Sequence, residues 1–319
     1  MNVNDIGKRK KMKFLKQFND YSAIYEEICE SEMAHYTSFQ GGEGILDSKC
    51  IYARRMEDFK IDENEGRVSL KKCYKLLKKE NVVTLTKNQL EFLDRYIGTS
   101  ERIEEYIKNC PSYVACFSLN IDSNYMQKKF QSDAMNEKER GRNFEIVFDA
   151  KKFLDEMYIL DKENNKHYCV HKGRVIYDIV RQEEIIRQEI KALWPLLVED
   201  SLPDEVAVEY LLRKIYFLGT YFKVPGDKVS VDEEELRILV DLKSDEQKKI
   251  MELPEILEGG VEPNKYCYIK IYFELSCIKR VCIYGEKREV SKKVESVKKK
   301  MDYDIEVHII NDLLERRSQ

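Results

Sequence analysis

The residues best suited to chemistry gather late in the chain, where Asp232-Glu233-Glu234-Glu235 runs into Leu236-Arg237-Ile238-Leu239-Val240. In an extended segment alternate side chains share a face, so Glu233 and Glu235 stand together there. A fixed carboxylate of that kind can stabilise positive charge developing on a substrate, and a second can orient an acceptor. The same acidic run also reads as a solvated loop entering a strand.

Other polar groups are scattered. His35, Tyr36 and Thr37 carry ring nitrogens and hydroxyls, and Ser118 ends the apolar run Tyr113-Val114-Ala115-Cys116-Phe117. Such groups can hold a polar ligand, while a lone His beside apolar residues also reads as a satisfied core or surface histidine. Arg54-Arg55 could grip a pyrophosphate with guanidinium forks, or simply end a strand in solvent. Gly41-Gly42-x-Gly44 lacks the spacing of known phosphate-binding glycine loops and reads as a turn. His167-x-Cys169-x-His171 places three metal-ligating types on one strand face without a fourth, so no metal site is expected. Lys8-Arg9-Lys10-Lys11 with Lys13 and Lys16, and Tyr21 and Tyr25 nearby, could dock nucleic acid or form a solvated helix start.

The elements that must position these groups follow from periodicity. Leu15, Phe18, Tyr21, Tyr25 and Ile28 recur at helical spacing and define a basic amphipathic helix within residues 1–32. Residues 33–319 then read as a single catalytic-type domain. A short strand is expected at Met33–Tyr36, a glycine turn with one helical turn at Ile45-Leu46, and a second strand at Cys50–Ala53. Helices fill Ser69–Asn109 with a break near Gly98-Thr99-Ser100. Strands are expected at Tyr113–Ser118, Phe144–Phe148 and Arg174–Tyr177, and a second helical block at Gln182–Phe222 with breaks at Pro195 and Pro203. Leu236–Val240, Tyr266–Ile271 and Ile278–Tyr284 resume strand character, followed by a helix on Val290, Val294, Val297 and Met301 and a strand at Ile305–Ile309. This order fits an α+β fold, with central mixed or antiparallel sheets and helical insertions, better than a regular parallel series.

Composition narrows the partners. Fifty-five Lys and Arg stand against 59 Asp and Glu, a net charge of −4, so no global field commits the chain to nucleic acid or an anionic membrane. Nine cysteines without a Cys-x-x-Cys pair read as reduced, mostly buried thiols. No run of about 18 apolar residues occurs, so no membrane span and a cytoplasmic location are expected.

His35-Tyr36-Thr37-Ser38, Gly44-Ile45-Leu46-Asp47-Ser48 and Ile51-Tyr52-Ala53 together resemble the opening signature of the microbial family called domain of unknown function 2971. Asp62, Glu65 and Gly66 resemble that family's Asn-Asp-Pro-x-Glu-Gly segment without its Asn and Pro. Ala115-Cys116-Phe117-Ser118 resembles its central strand, though the Trp usual a few residues later is absent near Tyr125-Met126. Lys223 with Glu233-x-Glu235-x-Arg237 resembles its Glu-x-Glu-x-Arg segment, and Ile278 to Gly285 its terminal strand. A second resemblance, to ADP-ribosyltransferase folds, lies in the order of the His-x-Thr strand, the Ser-ended strand and the late Glu. It implies an enzyme that moves ADP-ribose from NAD to a nucleic-acid or protein acceptor, in a toxin or phage-defence setting. Glu235 would then be the carboxylate on the nicotinamide ribose and Glu233 the acceptor's partner. His35, Tyr36, Thr37, Arg54 and Ser118 would bind NAD. The alternative is a regulatory module that binds a nucleotide or nucleic acid without turnover.

Overall fold

The structure is a computed structural model, and it describes residues 32–56, 66–110, 112–121, 125–126, 144–159, 168–199, 202–225, 231–242, 257–259, 266–284, 287–300 and 305–310. The expected amphipathic helix near the start, Lys8 to Lys16 and His167 lie outside them. In chain order the elements are β1 (Glu32–Thr37), α1 (Phe39–Ser48), β2 (Cys50–Arg55), α2 (Arg67–Lys78), α3 (Lys87–Ile97), α4 (Ser100–Lys108), β3 (Ser112–Ser118), β4 (Phe144–Asp149) and α5 (Ala150–Glu156). They continue as β5 (Tyr168–Arg174), α6 (Ile179–Glu199), α7 (Asp204–Gly219), β6 (Glu235–Leu242), β7 (Leu257–Gly259), β8 (Tyr266–Tyr272), β9 (Ile278–Tyr284), α8 (Lys287–Lys300) and β10 (Glu306–Ile310). Helices interrupting a mixed sheet make the fold α+β. By its contacts the chain divides into two compact units.

One unit draws its described residues from Met56–Ser112 and Gly173–Val229 and is helical. Thr86 and Gln89 form a reciprocal capping box at the start of α3, and Gln89 Nε2 also donates to Asp204 at the start of α7, 2.6 Å away. The strand expected at Arg174–Tyr177 is not one; β5 ends at Arg174. Ile176 instead donates its N–H to Tyr221 and accepts from Lys223, so backbone bonding to the segment after α7 competes successfully with the sheet. Pro195 breaks nothing: α6 continues through it to Glu199. Inside this unit Glu189 of α6 is almost fully buried, and neither carboxyl oxygen has a hydrogen-bond partner among the described residues; the Lys214 ammonium of α7 stands 4.0 Å away. Burial pushes the Glu189 carboxyl up to about 7, against the pull of Lys214.

The other unit, from Glu27–Arg55, Tyr113–Lys172 and Ser230–Gln319, is built on a ten-stranded sheet. The strand order is β10-β9-β4-β1-β3-β2-β8-β7, with β6 pairing to β3 and β5. Most pairs are antiparallel, but β9 and β10 run parallel, joined through α8 as parallel neighbours require. Alternation gives each strand an inner face. Met33, Ile51, Ala53, Phe117, Phe148, Ile238, Ile271 and Val281 meet there in one core, with Leu46 of α1, Phe153 of α5 and Val297 of α8 packed onto it.

The glycine turn expected at Gly41–Gly44 lies inside α1 instead. Ser38 caps that helix, its Oγ accepting from Gly41 N at 3.0 Å. A Cβ on Gly42 would meet the Phe144 ring at 2.1 Å, so the glycine lets α1 press directly on β4. Gly42→Ala is therefore expected to lower stability by about 1–3 kcal/mol despite alanine's better helix propensity. Thermal melts should show this loss largely recovered when Phe144→Leu is added.

Candidate functional site

At the start of β6, alternation divides the strand cleanly. Leu236, Ile238 and Val240 enter the core, while Glu235, Arg237, Leu239 and Asp241 turn to the outer face and are buried there as well. Glu235 is 6% exposed and Arg237 2%, and they form a fork-like pair: Nε to Oε1 at 2.7 Å and Nη2 to Oε2 at 3.3 Å. Two residues along a strand place both on one face, and the guanidinium then holds the carboxylate in a single orientation.

Glu233 does not share that strand face in the expected way. It sits in a 3-10 turn, Val231–Glu233, and Glu234 follows with a left-handed φ of 39°, which interrupts strand alternation. Glu233 is nevertheless buried, at 4% exposure, while Asp232 and Glu234 face solvent. The acidic run is thus neither a simple solvated loop nor a pair on one pleat. Two of its carboxylates are inside, and two are outside.

The turn is stitched to the end of β3. Ser118 Oγ donates to the Glu233 carbonyl at 2.8 Å and accepts from Asn120 N–H at 3.1 Å. Leu119 N–H donates to the Glu234 carbonyl at 2.9 Å, and Asn120 Nδ2 donates to the Asp232 carbonyl at 2.9 Å. Tyr36 reaches the same loop, its hydroxyl donating to the Asn120 carbonyl at 3.4 Å. Tyr36, Ser118, Glu233 and Glu235 therefore belong to one neighbourhood. Ser118 acts there through backbone carbonyls and holds the turn that presents the two glutamates.

Arg54 lies farther along the outer surface, opposite Val114 of β3 and Tyr268 of β8. His35 and Thr37 do not join the group. His35 packs beside Phe117 with ring centroids 5.7 Å apart and planes tilted by 59°, and Phe117 in turn packs edge-on against Phe148 and Phe153 of the core. His35 Nδ1 bonds the Cys116 carbonyl at 3.1 Å, and Thr37 lies against the helix start at Gly41. The pleat sends His35 and Thr37 inward and Tyr36 outward, so the three consecutive residues cannot line one pocket wall together.

The sequence reading missed a second buried polar group on the outer face. Glu145 of β4 is paired in register with Tyr36 on one side and Cys282 on the other, and it accepts from the Tyr284 hydroxyl. Desolvation, reinforced by the Glu145 charge, raises the Tyr284 hydroxyl well above the usual phenol range. A lone Glu inside Phe144-Glu145-Ile146-Val147-Phe148 was the available signal, since an unpaired carboxylate is rarely tolerated in a strand buried on both faces.

Among the described residues no group of three His, Cys, Asp or Glu could hold a metal ion, and no helix is long and apolar enough to cross a membrane. No protein-family model, curated protein or solved structure matches this chain.

Proposed function

We propose that the chain is an ADP-ribosyltransferase-like enzyme that moves ADP-ribose from NAD to a nucleic-acid or protein acceptor, in keeping with a toxin or phage-defence role, and that it works through Glu235. The observation that carries this reading is the burial of Glu233, Glu235 and Arg237 at one strand end. Buried charge is costly, and such groups concentrate where a protein needs a fixed field. Breaking the bond from ribose to cationic nicotinamide leaves positive charge on the sugar, which a carboxylate held still by Arg237 can stabilise. Glu233 is the group to orient the acceptor. Tyr36, Ser118 and Arg54 share the outer face with Glu235, and this supports their assignment to the dinucleotide. His35 and Thr37, turned to the core side, are left out of it.

One observation favours the second reading, a module that binds a nucleotide or nucleic acid without turnover. Arg237 offsets part of the Glu235 charge, which weakens the field available to a cationic sugar. The two readings separate when purified protein is incubated with labelled NAD and total RNA, DNA and protein. The enzyme reading expects nicotinamide release with label on one acceptor class; intact NAD leaves only the binding module.

A further inference from the structure

The exposed aromatic side chains among the described residues are Tyr52 of β2, at 41% exposure, and Tyr158, at 46%, in the segment after α5 that bridges to β8. Tyr52 stacks on Tyr268 with centroids 4.1 Å apart and planes inclined by 23°; Tyr158 stacks on Tyr272 at 5.5 Å and 17°. Tyr158 is fixed there because its backbone exchanges two hydrogen bonds with Tyr272, at 3.0 and 2.8 Å. Cations alternate with these rings. Lys270 is the register partner of Tyr52, and Arg54 that of Tyr268, so aromatic and cationic groups alternate both along and across the two strands. Ile51, Ala53, Ile269 and Ile271 occupy the opposite face and anchor the surface to the core.

A sheet face with exposed rings set beside a cation is complementary to unpaired bases on a phosphate backbone. Each ring offers a stacking platform to any base, and each neighbouring cation can meet a phosphate. Along β8, Tyr268 and Tyr272 are about 13 Å apart at the usual strand rise, so the two stacks form separate platforms. A duplex keeps its bases stacked inside and cannot use them. We propose that the outer surface of β2 and β8 binds single-stranded nucleic acid, with bases on the Tyr52 and Tyr158 platforms and phosphate on Lys270. This takes up the nucleic-acid acceptor of the function proposed above and rests on that reading only for what is done to the strand once it is bound.

The test is fluorescence anisotropy at low salt without NAD, using fluorescein-labelled oligo(U), oligo(dT) and a duplex of equal length. One or both single strands should bind more tightly than the duplex, and whichever is tighter identifies RNA or DNA. The double variant Tyr52→Ala/Tyr158→Ala should bind roughly tenfold or more weakly, while Tyr52→Phe keeps its ring and its affinity. Lys270→Ala should flatten the dependence of affinity on salt by about one released counterion. Equal binding of the duplex, no binding of either single strand, or wild-type affinity in the double variant would overturn the proposal. Melting temperatures of the variants guard against misfolding, and NAD cleavage followed on the same samples keeps failure of this surface distinct from failure of Glu235.

Discussion

Arg237→Met is expected to lower the stability of the sheet unit by on the order of 3–5 kcal/mol, because it removes the guanidinium that forks onto the buried Glu235 carboxylate. The double variant Glu235→Leu/Arg237→Met should recover most of that loss, since two apolar side chains can replace a buried ion pair at little or no cost in stability. Trp194, the single tryptophan, lies in α6 of the helical unit, so its fluorescence cannot follow this change. Hydrogen exchange at the β6 amides can. Equal protection in wild type and Arg237→Met would mean that the pair is not the support of this strand end. Recovery of stability by the double variant together with loss of NAD chemistry would show a pair retained for function at the expense of stability.

The second large effect is a dependence on pH confined to the helical unit. The Glu189 carboxyl is raised to about 7 by burial, above its value of 4.5 in an unfolded chain. A folded-state value above the unfolded one means that the folded form holds the proton more tightly. The stabilisation from this group is therefore complete below pH 4.5 and disappears as pH rises through about 7. Its span is about 2–3 kcal/mol, discounted from the full shift because Lys214 is close by. Urea unfolding followed by Trp194, whose indole N–H donates to the Thr84 carbonyl at 3.3 Å in the same unit, should reveal this slope. Glu189→Leu/Lys214→Met should remove it. A slope that survives in the double variant would assign the pH dependence to other groups.

Much of the architecture was legible because its signals are local. Apolar, β-prone runs marked β1, β2, β3, β4, β6, β8 and β9, and helical spacing marked α2, α3, α4 and α8. What the sequence hid depends on distant partners. Helix α1 runs through three glycines because Gly42 must approach the Phe144 ring, a contact with β4 that no local propensity reports. Residues Val175 to Tyr177 have strand composition but bond to the chain after α7. The division into two units was likewise hidden, since the helical segments carry no linker-like composition at their borders.

The candidate site was half legible for a related reason. Glu-x-Glu-x-Arg was visible as spacing, but the burial of Glu233, Glu235 and Arg237 was not. His35-Tyr36-Thr37, read as one cluster, is split by the pleat, with His35 against Phe117 and Tyr36 on the other face. Asn120, which ties Ser118, Tyr36 and the acidic turn together, carried no sequence signal because its role is to bond backbone groups.

Nicotinamide release from NAD by wild type, Glu235→Gln and His35→Ala, each checked for an intact fold by circular dichroism, separates chemistry at the outer-face Glu235 from chemistry at the core-side His35. Glu235→Gln, which keeps an oxygen for Arg237, is expected to lose roughly 100-fold or more in rate, in the range seen when one electrostatic stabiliser is removed. His35→Ala should keep its rate while melting at a lower temperature. Undiminished turnover in Glu235→Gln, or turnover lost only in a well-folded His35→Ala, would contradict the assignment of the chemistry to Glu235.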